Sequence, residues 1–162
     1  MILRIELRRR MTNVLLWITL ISVGVPLSMM DIISRRLPNV LTSALFVLSA
    51  IIISISGIVD HASSRVISSF IDSLVLSISF LIVSFATRGG MGMGDVKLSA
   101  GIGLIAGFYG TQTLFLSTFL SFILGALVGV ALLLLRKGNL KTTLPFGPFM
   151  IIGQLVAMWV AR

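Results

Sequence analysis

Between Leu98 and Leu135 the chain runs for 38 residues without a formal charge. A bilayer crossing takes about 20 residues, with roughly 17–25 tolerated. The run is therefore too long for one crossing and too apolar for a soluble core. The turn-prone stretch Gly107-Phe-Tyr-Gly-Thr-Gln-Thr113 divides it into a short helix and a long one. Four more apolar runs, Val14–Met30, Val40–Val59, Val66–Ala86 and Leu144–Val160, are each near crossing length. The pattern predicts an all-α membrane protein, a polytopic bundle of about six transmembrane helices, as a single domain over residues 1–162.

Charge supports the membrane class. Only 11% of residues are charged, against about a quarter in soluble domains. A net charge of +8 would suggest nucleic acid in a soluble protein. Here the basic residues lie between spanning runs, where they set topology and meet lipid headgroups. Membrane lipid is the expected partner and nucleic acid is not.

Counting those charges leaves orientation open. Six crossings put Arg35, Arg36, Arg88, Lys97, Arg136, Lys137 and Lys141 on one side. The other side receives Arg65, Arg162 and the N-terminal Arg4, Arg8, Arg9 and Arg10. Seven against six decides nothing. Without the tail, seven against two would place the first group in the cytoplasm. The basic tail before Val14–Met30 looks like a signal peptide, but no small-x-small cleavage site follows, so the run is read as a retained helix.

The chain has no cysteine and one histidine, His61. Thiol nucleophiles, zinc–thiolate sites, histidine metal clusters and Ser-His-Asp triads are all excluded. No metal and no cofactor is expected. What remains is chemistry that carboxylates can do alone. Glu6 lies among arginines, and Asp60 and His61 share a loop, so all three read as solvated surface. Asp72 lies a few residues inside the third span, shallow enough to reach the interface. Gly103 and Gly107, like Gly125 and Gly129, have the small-x-x-x-small spacing that lets membrane helices approach closely. The serines of the second and third spans read as interhelical hydrogen-bonding groups.

Asp31 and Asp95 differ in kind. Asp31 ends the first apolar run and Asp95 precedes the fourth. Two intervening crossings return the chain to the same face, which puts both carboxylates at similar depth. If they meet, the pair shares one proton near neutral pH. The ionised member can then take a proton from water while the protonated member polarises a scissile carbonyl. The approach Gly89-Gly-Met-Gly-Met-Gly-Asp95 is poor in side chains, which suits close approach of another backbone. Irregular backbone at membrane depth survives only where protein buries it or it lines a wet cavity. A phosphate-binding loop would need a preceding strand, and none is present.

Three segments resemble one family. Asp31-Ile-Ile-Ser-Arg-Arg-Leu-Pro-Asn-Val-Leu-Thr42 is similar to the first-aspartate motif of bacterial type IV prepilin peptidases. Gly92-Met-Gly-Asp-Val-Lys-Leu98 resembles their GxGD motif, shared with other intramembrane aspartyl proteases. Pro145-Phe-Gly-Pro-Phe149 resembles their last-helix signature. GxGD alone is weak; three motifs in order across nearly the whole chain are specific.

The resemblance implies that Asp31 and Asp95 are catalytic and that the site faces the cytoplasm from the bacterial inner membrane. It implies cleavage of the short basic leader of a prepilin or pseudopilin. Gly92, Gly94, Lys97, Arg36, Pro38 and Asn39 fall at motif positions as supporting residues. Pro145, Gly147 and Pro148 should loosen the start of the last helix near the dyad. Larger members carry an N-terminal region with paired cysteines associated with N-methylation. With no cysteine here, the resemblance is to the short, peptidase-only form used with Flp/Tad-type pili. Two other readings stay open: a proton- or ion-coupled transporter subunit, for which membrane aspartates form the ion path, and a non-catalytic component of a pilus or secretion assembly. Oligomeric state is not readable.

Overall fold

A computed structural model of the chain describes residues 2–87, 91–135 and 144–161. The side chains of residues 2–5, Arg4 among them, lie outside the description. So do Arg88, Gly89, Gly90, Arg136, Lys137, Lys141 and Arg162. Among the described residues six helices follow in order: α1 (Ile2–Ser34), α2 (Asn39–Val59), α3 (Ser63–Ala86), α4 (Met93–Tyr109), α5 (Thr111–Leu134) and α6 (Gly147–Val160). Within α1 the segment Glu6–Ser34 is long and apolar enough to cross a membrane, as are α2, α3 and α5. Their outward faces carry exposed residues such as Ile55, Leu74 and Phe115. Such a surface fits lipid, since soluble monomers rarely expose apolar patches of this extent. The protein is a multi-pass, all-α membrane bundle.

The short helix α4 is the centre of the bundle. It packs against α2, α3, α5 and α6, and every residue from Gly101 to Phe108 is buried. A helix that is apolar all round has no outward face to show. Its close approach to α3 depends on two glycines. A Cβ on Gly103 would come within 2.8 Å of Ser73 Cα, and one on Gly107 within 2.8 Å of Ser69 Cα. The expected break between the fourth and fifth helices falls at Gly110, whose φ of 117° is a conformation that glycine readily adopts.

The structure adds to the sequence reading at three places and corrects the last. The basic tail is helical and continuous with the first span, so Arg8, Arg9 and Arg10 ride on the end of α1 opposite to Asp31. There Arg9 and Arg10 line a cavity with Glu6, Asn13, Phe108, Tyr109 and Ala161. Asp72 is buried in protein. The tight α3–α4 contact covers it, and it accepts a hydrogen bond from the Thr111 hydroxyl at the start of α5 (3.1 Å). The serines are only partly interhelical. Ser73 donates to the Ala100 carbonyl on α4 (2.7 Å), but Ser69, Ser77 and Ser79 donate back to their own helix.

His61 is exposed and lies just past the end of α2 with a φ of 50°. The Ala62 N–H reaches back to the Gly57 carbonyl (2.9 Å), a Schellman-type helix end. Asp60 is half-buried at the α2 C-cap, within 3.4 Å of the Ser56 hydroxyl.

Candidate active site

Asp31 sits in the last turn of α1. That helix ends when Arg35 turns left-handed (φ 52°) and its N–H bonds to the Asp31 carbonyl (2.9 Å). A carboxylate at a helix C-terminus faces the negative end of the macrodipole. The start of α6 offsets this: the Gly147 N–H donates to Asp31 Oδ2 at 2.9 Å. Asp95 lies in the first turn of α4, at the favourable end of that helix dipole. The two side chains are only 6% and 8% exposed. They line one cavity of about 330 Å³ with Arg35, Arg36, Leu37, Asn39, Gly92, Met93, Gly94 and Lys97.

Each motif residue has a local job. Pro38 sets the start of α2, where its carbonyl accepts from the Leu41 and Thr42 N–H groups. Lys97 Nζ donates to Asn39 Oδ1 (2.8 Å), clipping the first turn of α4 to that of α2. Gly94 gives Leu37 room, since a Cβ there would lie 2.9 Å from Leu37 Cβ. Gly92 caps α4 with ordinary extended angles (φ −68°, ψ 143°), and a Cβ there would make only ordinary contact, 3.6 Å from Asp95 Oδ2.

The proline segment does not loosen α6. It defines the helix start, with Pro148 in the first turn, where a missing N–H costs nothing. Pro145 precedes it, and Phe146 anchors it. The Phe146 ring lies 5.2 Å from that of Phe122 and 6.1 Å from that of Phe80. Gly125 makes room for it. This cluster holds the Gly147 N–H where Asp31 can use it.

Three contributors were not singled out from sequence. Leu37 lies between the two motif glycines, Arg35 lines the cavity, and the Ser84 hydroxyl pins the Met91 carbonyl (2.9 Å) just before the cap of α4. The only available signal was that Leu37 and Arg35 fall inside the first motif.

Comparisons with known proteins converge. The type IV leader peptidase family matches residues 18–130. The chain is 33% identical over 133 residues to a prepilin leader peptidase/N-methyltransferase of Stutzerimonas stutzeri, covering 82% of this chain and 45% of the relative. A relative of the same description from Pseudomonas aeruginosa is 33% identical over 135 residues, with 82% and 45% covered. One from Pseudomonas putida is 45% identical over 73 residues, or 44% of this chain and 24% of the relative. The chain thus spans less than half the length of these curated relatives. No solved structure matches it.

Proposed function

The chain belongs to the type IV leader peptidase family, and from that membership we propose that it is a prepilin peptidase working through an Asp31–Asp95 dyad. The observation that carries the reading is the shared cavity, into which α1 and α4 each deliver a buried carboxylate. With one proton between them, one carboxylate takes a proton from water as the water attacks the scissile carbonyl. The other donates a hydrogen bond to the carbonyl oxygen, whose charge grows in the transition state. Collapse of the tetrahedral intermediate passes a proton to the leaving amine and restores the shared-proton state.

The proposed substrate is the short basic leader of a prepilin or pseudopilin. The chain acts as a single peptidase domain over residues 1–162, in the bacterial inner membrane with the cavity facing the cytoplasm. The relatives' names also include N-methyltransferase; the peptidase alone is proposed for this chain, in line with its lack of cysteine.

Cleavage of a purified prepilin by the reconstituted protein tests the reading. Asp31→Asn and Asp95→Asn should each abolish cleavage while inserting normally. Ion flux sensitive to the aspartates, with no cleavage, would favour a transporter. Full function with both carboxylates replaced would favour a non-catalytic assembly role.

A further inference from the structure

Leu37 is an apolar side chain in a four-residue connection between α1 and α2, flanked by Arg36 and Pro38. It is half-buried and packs on the apolar core. Its neighbours are the two glycines beside the carboxylates. A Cβ built on Gly94, next to Asp95, would lie 2.9 Å from Leu37 Cβ and 3.2 Å from its Cδ1. A Cβ built on Gly147, whose N–H holds Asp31, would lie 3.5 Å from Leu37 Cδ2. One branched side chain thus fills the gap between the start of α4 and the start of α6. Pro38 restricts its backbone to extended angles, so the side chain has little freedom to leave that gap.

Resting on the peptidase reading, we propose that Leu37 is a positioning residue, a spacer that sets the separation of the Asp31 and Asp95 carboxylates. Two interacting carboxyl groups titrate in two macroscopic steps whose interval grows as they approach. Removing the spacer lets the starts of α4 and α6 close on each other. An approach of about 1 Å widens that interval by about half a pH unit at an effective dielectric of about 20. Misplacement of this size also lowers turnover, by up to about a hundredfold.

The test is the pH profile of prepilin cleavage by the full chain in lipid vesicles. Leu37→Ala should lower kcat at least tenfold with little change in KM, and its acid and alkaline limbs should move apart. Leu37→Met, which conserves volume, should keep the wild-type limbs and most of the rate. Should Leu37→Ala not accumulate, Leu37→Val should show the same shift at smaller size. Normal cleavage by Leu37→Ala overturns the spacer, as does lost activity with limbs unmoved or drawn together. Absence of cleavage by the wild-type protein would instead remove the peptidase reading, and cleavage surviving in both Asp→Asn variants would remove the dyad, whatever Leu37 does.

Discussion

The Gly147 N–H donates to Asp31 Oδ2 at 2.9 Å, joining the last helix of the bundle to the first across 116 residues of sequence. Asp31 stands at the end of α1, where the helix dipole disfavours a negative charge. It gains a backbone donor and the favourable end of α6 in exchange. The carboxylate is thus fixed by an element that need not itself touch substrate.

Gly147→Ala should therefore damage cleavage more than folding. A Cβ there would sit 2.9 Å from Asp31 Oδ2, so the carboxylate must shift. A displacement of this kind costs about ten- to a hundredfold in kcat. Cleavage assays on equal amounts of inserted protein check this; a rate within a factor of two of wild type would show that the contact is incidental.

Asp72 is the acid that geometry separates from the site. It is buried at the α3–α4–α5 junction, at the end of α4 opposite to Asp95. Asp72→Asn keeps an acceptor for Thr111 and should leave the cleavage rate unchanged. Thr111→Val removes that bond and should cost about 1 kcal/mol of stability, read as a lower unfolding temperature in detergent. A dead Asp72→Asn beside an active Asp31→Asn would mean that the wrong carboxylate had been chosen.

The number of helices and the break at Gly110 were legible because both are local properties of the chain: run length and a glycine between polar residues. The burial of Asp72 was not. It depends on how closely α4 approaches α3, which Gly103 and Gly107 permit but whose partner face no spacing names. The role of the Pro145–Phe149 segment was misread for a related reason. Proline weakens a helix interior yet suits a helix start, and only the docking of Phe146 between Phe80 and Phe122 shows which applies. A backbone donor such as the Gly147 N–H carries no signature in residue type at all.

Gly103→Ala is the structural counterpart of the site variants. Its Cβ would come within 2.8 Å of Ser73 Cα and 3.1 Å of the Asp72 carbonyl, so α3 and α4 must separate. Overpacking of this kind costs about 1–3 kcal/mol. Thermal unfolding should show the loss, while the remaining folded protein keeps the wild-type pH profile.

Orientation can be tested with cysteine, since the chain contains none. His61 and Thr87 are exposed at opposite ends of α3, one before its start and one at its C-cap. With the cavity facing the cytoplasm, an impermeant thiol reagent should label His61→Cys in whole cells. It should reach Thr87→Cys only after permeabilisation. The reverse pattern would turn the protein over and place the basic start of α1 in the cytoplasm.

The dyad itself predicts a bell-shaped pH dependence of cleavage. The working state holds one proton between Asp31 and Asp95. At low pH both are protonated and no base remains to take a proton from water. At high pH both are ionised and no acid remains to polarise the carbonyl. The two limbs belong to the pair and not to either residue. Asp31→Glu and Asp95→Glu keep the charge but move it by about 1 Å or more. In a cavity where Asp31 is held by Gly147 and the start of α4 is packed on Leu37, neither longer arm can recover the geometry. Each should lose about a hundredfold or more in kcat while inserting like wild type. A profile with a single limb would show that only one carboxyl group titrates in the working range. A near-normal rate for either glutamate would show that the cavity tolerates displacement, and the shared-proton mechanism would then lose its geometric basis.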